Sequence, residues 1–102
     1  MRFEWNHEKN RINRAKHNVS FETACLVFDD PCHLSIQDRQ NNGEERWQTL
    51  GMAGGAVLLL VAHTVIEGQR DETIRIISAR KATNKERYIY EQTFRKAKNR
   101  NQ

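Results

Sequence analysis

Ten consecutive residues near the middle of the chain, Ala56–Val65 (AVLLLVAHTV), are apolar everywhere except at His63 and Thr64. The longest uninterrupted run, Ala56–Ala62, falls far short of the roughly 20 apolar residues that cross a bilayer. It has the length and character of a central strand covered on both faces. Just before it, Ala53-Gly54-Gly55 supplies a turn whose glycines tolerate positive φ, and Arg46–Met52 supplies the preceding arm. The middle of the chain is thus a β-hairpin, and the rest must pair with its arms or cover them.

The flanks carry their own local signals. Arg2-Phe3-Glu4-Trp5 alternates polar and apolar, which predicts a short strand. Asn6 is placed to cap a helix over His7–His17, with Glu8 in its first turn, Lys16 and His17 in its last, and Asn18 for a left-handed stop. Ile12 and Ala15 are its only clearly apolar interior residues, so this helix should be mostly exposed. Ser20 caps a second helix whose buried face would be Phe21, Ala24, Cys25 and Phe28, and Asp29-Asp30-Pro31 ends it. Cys32–Asp38 and Glu72–Ala79 have strand character, while Arg39–Glu45 has loop composition. A last helix starts at the capping box Thr83-x-x-Glu86 and runs to about Lys98, with Tyr90, Phe94 and Ala97 as a buried stripe. The expected class is α+β: a short antiparallel sheet in β-α-α-β-β-β-β-α order, forming one domain over residues 1–102 with 99–102 frayed.

Charge is distributed unevenly. Residues 1–74 hold eight Lys/Arg against eleven Asp/Glu, formally −3, whereas Arg75–Arg100 holds nine against two, formally +7. A basic end segment is the footprint of a protein that meets polyphosphate; it equally describes a solvated helix face. The N-terminus lacks a charged-then-apolar signal pattern, so a cytoplasmic location with no membrane contact is expected. Cys25 and Cys32 have neither metal-ligand spacing nor a disulfide-rich frame, and Cys25 reads as a small buried apolar residue. His7, His17, His33 and His63 show no H-E-x-x-H pattern, and the glycines around the hairpin turn lack the Lys-Ser/Thr of a phosphate loop. Neither a metal nor another cofactor is expected.

Four residues invite a chemical reading. Arg75 interrupts an apolar strand and needs a partner such as Glu4, Asp38 or Glu72, unless its planar guanidinium serves a phosphate. His63 interrupts the central strand as a satisfied core imidazole or as a proton carrier. Arg80, with Lys81, stands at the junction between the last strand and the last helix. Glu86 is either the carboxylate of the capping box or a proton acceptor beside that junction. If His63, Arg75, Arg80 and Glu86 converged, they would supply the proton transfer and charge stabilisation needed to cleave RNA without a metal. Tyr88 is placed either to stack on a base or to pack on the sheet.

The segments FEWNHEKNRINRAKHNVSFETACLVFDDP, RWQTLGMAGGAVLLLVAHT and IRIISARKATNKERYIYE resemble the BrnT toxins over about residues 3–91, most specifically in IRIISARKAT…ER. The resemblance implies a RelE-like fold and an endoribonuclease that inhibits translation. It also implies a BrnA-like antitoxin with a ribbon-helix-helix domain, and operator DNA bound through the toxin–antitoxin complex. Carried onto this sequence, it points to Arg75, Arg80, Lys81, Glu86 and Arg87, with Lys9 and His17 from the N-terminal motif, and it strengthens His63. Lys81, Arg87, Tyr88, Lys9 and His17 would then contact RNA. A non-catalytic or inactivated module that binds the antitoxin or its DNA complex is the alternative.

Overall fold

The computed structural model describes residues 1–38, 45–68 and 70–100, with side chains through residue 96. The chain runs through β1 (Arg2–Glu4), α1 (His7–His17) and α2 (Phe21–Cys25), the last continuing into a 3-10 turn (Leu26–Asp29). There follow β2 (Leu34–Gln37), β3 (Arg46–Ala53), β4 (Val57–Glu67), β5 (Glu72–Lys81) and α3 (Asn84–Arg100). The five strands form one sheet in the order β1-β5-β4-β3-β2. The sheet is mixed: β2 to β5 are antiparallel neighbours, as expected, but β1 pairs parallel with β5. The intervening helices carry the chain back across the sheet, so β1 enters at the far edge. The expected loop at Arg39–Glu45 lies, but for Glu45, outside the described residues.

Both helix starts are capped as the side chains dictate. The Asn6 side chain accepts from the backbone N–H of Lys9, and Ser20 accepts from that of Thr23. Asn18 takes φ 57° at the end of α1, and Gly54 and Gly55 take φ 61° and 71° in the hairpin turn, conformations in which a Cβ is disfavoured. The buried side of α1 is polar. Its two buried residues are Asn10 and Asn13, while Ile12 is exposed. Asn13 Nδ2 donates to the carbonyls of Val19 and Ala79, and its Oδ1 accepts from the Ala79 N–H. β1 pairs only with Thr73–Arg75, so Ala79 has no strand partner on that side, and the Asn13 carboxamide takes that place.

Alternation along the strands separates two faces. The face beneath α2 and the 3-10 turn holds the main core of Phe21, Ala24, Val27, Leu59, Val61, Ile74, Ile76 and Ala79. The other face is covered only at one end, where Tyr90 of α3 packs on Leu50 and Leu58. The central strand is therefore not covered along its whole length, because Ala62 is only half-buried and Ile66 is exposed. The stripe expected on α3 is also shorter than expected: Tyr90 is buried, but Phe94 is 46% exposed. Ala97 lies outside the described side chains, and α3 continues through residues 99 and 100, which were expected to fray. The Tyr90 hydroxyl anchors α3 by donating to Asp30 Oδ2 at 2.6 Å. Burial pushes the Asp30 carboxyl up, but hydrogen bonds from the Met52 N–H, Tyr90 and the Cys32 N–H outweigh it and hold the group ionised.

Candidate nucleic-acid interface

Strand register sets which side chains share the open face. Residues paired across neighbouring strands point the same way, so Arg46, Thr64, Arg75 and Glu4 form one row across β3, β4, β5 and β1. Ile36, Gln48, Ala62 and Ser78 form the next, and Leu34, Leu50, Leu60 and Arg80 the third. The register shifts between Ala62 and His63, which pair with Ser78 and Ile76 and leave Ile77 as a bulge. Three arginines from two strands thus border a patch of small and polar side chains.

The three cations differ in how firmly they are engaged. Arg75 NH1 lies 3.6 Å from Glu4 Oε2, a loose contact between half-exposed groups, and Glu4 is one of the three partners that the sequence offered for it. Arg46 is half-buried, and its Nε is buried without a hydrogen-bond partner. Arg80 is held tightly: its two terminal nitrogens donate to the two carboxylate oxygens of Glu86 at 2.8 and 2.9 Å.

Glu86 also accepts from the Thr83 N–H at 2.9 Å, while Thr83 Oγ1 accepts from the Glu86 N–H, closing the capping box at the start of α3. The hydrogen bonds from Arg80 hold its carboxyl down at about 2, against a smaller upward push from burial. A carboxylate so firmly engaged is a poor proton acceptor near neutral pH. Its geometry is that of a structural clasp joining β5 to α3. Between this clasp and the sheet, Leu34, Ile36, Leu50, Leu60 and Ile89 line a groove of about 300 Å3.

His63 does not join the arginines. It pairs with Trp47 and Ile76, which places it on the helix-covered face, 3% exposed, with its ring 5.0 Å from that of Phe28. Thr64, its neighbour, occupies the open-face position. Burial pushes the imidazole down to about 4, so it is neutral near pH 7. Its Nε2 is hydrogen-bonded to Thr49 Oγ1 at 2.7 Å, which in turn bonds Ser35 Oγ at 2.8 Å. The structure thus puts Arg75, Arg80 and Glu86 on one side of the sheet, with Glu86 on Arg80 and Arg75 four register positions away, and His63 on the other side.

The family model for "Ribonuclease toxin, BrnT, of type II toxin-antitoxin system" matches residues 5–86. The chain belongs to the BrnT family. The chain is also similar to the crystal structure of the ribonuclease toxin BrnT of Brucella abortus, with a TM-score of 0.59 at 19% identity, covering 82% of this chain and 99% of that one. At that identity the likeness establishes the shared α+β fold. No curated protein matches the chain. Family membership makes this a ribonuclease toxin of the type II class, with RNA as substrate and an antitoxin as partner.

The remaining expected contact residues of this BrnT-family chain are spread over three places. Lys9 and His17 lie on α1, which runs beside the free edge of β5. Lys81 pairs with Leu59 and so points to the helix-covered side, where it borders a cavity of about 460 Å3 with Arg14 and Glu22. Arg87 and Tyr88 are exposed in the first turns of α3, Tyr88 at 64%. Arg46 escaped the sequence reading, because only its pairing with Thr64 places it beside Arg75. Cys25 is half-buried against the main core, and burial pushes its thiol up to about 11. Among the described residues no three His, Cys, Asp or Glu side chains gather as metal ligands do, and no helix is long and apolar enough to cross a membrane.

Proposed function

We propose that this chain, as one domain, is an endoribonuclease that cleaves cellular RNA on the open face of its sheet without a metal ion and thereby inhibits translation. The observation that carries this reading is the Arg46–Thr64–Arg75 row, two cations flanking a small hydroxyl residue. Strands are ~4.8 Å apart, so the two arginine backbones stand ~10 Å apart, a span that their long side chains close around a single phosphate. Such a clamp stabilises the charge that grows on phosphorus as the 2′-hydroxyl attacks in line and the 5′-oxygen leaves. The immediate products are a 2′,3′-cyclic phosphate and a 5′-hydroxyl whose proton comes from water; hydrolysis of the cyclic ester by a second water gives the 3′-phosphate.

Arg80 lies four register positions further along β4, ~13 Å away, and serves a neighbouring phosphate together with Arg87. Glu4, beside Arg75, is the carboxylate of that row and takes the role of proton acceptor that Glu86 and His63 are badly placed to fill. Neutralisation falls to a BrnA-like antitoxin with a ribbon-helix-helix domain, which covers the open face and takes operator DNA through the complex.

The test is cleavage of RNA by purified, antitoxin-free protein in EDTA, with sequencing of the ends produced. Cleavage in EDTA leaving cyclic or 3′-phosphate ends is expected. Activity that vanishes in EDTA and returns with a divalent ion overturns the metal-independent mechanism. Intact RNA and continued growth on expression would instead favour a binding module without catalysis.

A further inference from the structure

The helix-covered side of the sheet holds a second cavity, about 360 Å3, at the end away from the hairpin turn. Its walls are rings: Phe28 packs edge-on against His63 and lies 6.4 Å from His33, and Trp47 stands next to His63 across the strand pair. Its rim is acidic, with Glu45, Glu67 and Glu72. Glu67 and Glu72 are direct cross-strand partners on β4 and β5, an arrangement of like charges that sheets disfavour. None of the three carboxylates has an ion-pair partner among the described residues. The nearby Met1 ammonium is already engaged by Asp71 at 2.6 Å. His63, 3% exposed, lines this cavity; its Nε2 is hydrogen-bonded to Thr49 Oγ1, and its Nδ1 is buried without a hydrogen-bond partner.

An aromatic wall, three carboxylates without ion-pair partners among the described residues and an unpartnered buried ring nitrogen describe a site for a flat cation rich in hydrogen-bonding groups. A phosphate-bearing ligand is repelled here, and the carboxylates are not gathered closely enough to hold a metal ion. A guanidinium stacks on rings and bridges carboxylates with paired hydrogen bonds, whereas an ammonium offers only a point charge. We infer that this cavity receives an arginine side chain presented by a partner polypeptide. It faces away from the Arg46–Arg75 row, so its occupation is compatible with RNA on the open face and does not depend on the ribonuclease reading.

The inference is tested by NMR titration of the isotope-labelled protein with N-acetyl-arginine methylamide, N-acetyl-lysine methylamide and guanosine monophosphate as probes. The arginine probe should shift the Trp47 indole N–H and the Glu67 and Glu72 amides saturably, about fivefold more tightly than the lysine probe. In a Glu67→Gln/Glu72→Gln variant the affinity should fall about tenfold, while the thermal midpoint holds or rises as the like-charge pair is removed. Tighter binding of guanosine monophosphate at these resonances, equal binding of arginine and lysine, or no saturable shift at millimolar probe each overturns it. RNA cleavage measured on the same variant should be unchanged.

Discussion

Arg75 and Arg80 stand five residues apart on one strand and yet project from the same face of the sheet. In a regular strand an odd separation sends two side chains to opposite faces. Ile77 bulges out of the ladder between Ala62/Ser78 and His63/Ile76, and that extra residue brings Ser78 and Arg80 round to the side of Arg75. The bulge thereby completes the cationic open face, and the same register leaves His63 on the reverse side.

Substitution on the two faces should therefore have different consequences. Arg46→Ala and Arg75→Ala are each expected to slow cleavage about 10–1000-fold, in the range of a lost charge-stabilising donor, with the fold intact. His63→Gln should change the rate by no more than a few-fold. Initial rates on a short labelled RNA at fixed salt, alongside circular dichroism of each variant, make the comparison. A His63→Gln variant that folds normally and has lost cleavage would contradict this placement.

His63 should instead appear in the pH dependence of stability. Its folded pKa, about 4, lies below the ordinary value near 6.5, so between these values the unfolded chain binds more protons than the folded one. Stability is then full above pH 6.5 and declines as pH falls toward 4, by up to about 3 kcal/mol at 1.36 kcal/mol per unit. Urea midpoints measured from pH 6.5 down to pH 5, above the range where the carboxylates titrate, should fall in the wild type and stay nearly flat in His63→Gln.

Glu86 titrates lower. Its folded pKa of about 2 is below the unfolded value of 4.5, so its contribution is present above pH 4.5 and is lost as pH falls from there toward 2. Because Arg80 is 39% exposed, solvent screening reduces the worth of the pair. Glu86→Ala should cost about 1–2 kcal/mol at pH 7, combining the lost capping-box acceptor with the screened ion pair. Thermal unfolding at pH 7 and pH 3 checks this, the difference between variant and wild type shrinking at the lower pH.

Asn13 is the residue of α1 least tolerant of change. Replacing it with Leu leaves the Ala79 N–H, the Ala79 carbonyl and the Val19 carbonyl without their partner in a buried place. At about 1–3 kcal/mol for each unsatisfied group, partly relieved by water at the sheet edge, a loss of roughly 3–5 kcal/mol is expected. Hydrogen exchange should show the Ala79 amide losing its protection together with the α1 amides.

Much of the fold was legible from short-range chemistry. Asn6, Ser20 and the Thr83/Glu86 box mark helix starts because their side chains bond backbone groups three residues away. Gly54-Gly55 marks the hairpin because few other residues take positive φ cheaply. The polar burial on α1 was not legible, since Asn10 and Asn13 look solvent-facing until Glu22, Phe21 and Ala79 are brought to them. The apolar stripe of α3 is longer than its buried part for a related reason: Tyr90 packs on Leu50 and Leu58, whereas Phe94 is left exposed.

The sequence by itself determined the α+β class, the caps, the hairpin and a basic segment starting at Arg75, because each rests on residues near one another in the chain. Only the tertiary structure decided that β1 runs parallel to β5, that Arg46 joins Arg75 across Thr64, and that Glu86 is spent on Arg80. It also decided that His63 belongs to the opposite side of the sheet. These depend on register between strands and on one bulge. A shift of a single residue reverses every side chain's face while leaving the pattern along the chain unaltered.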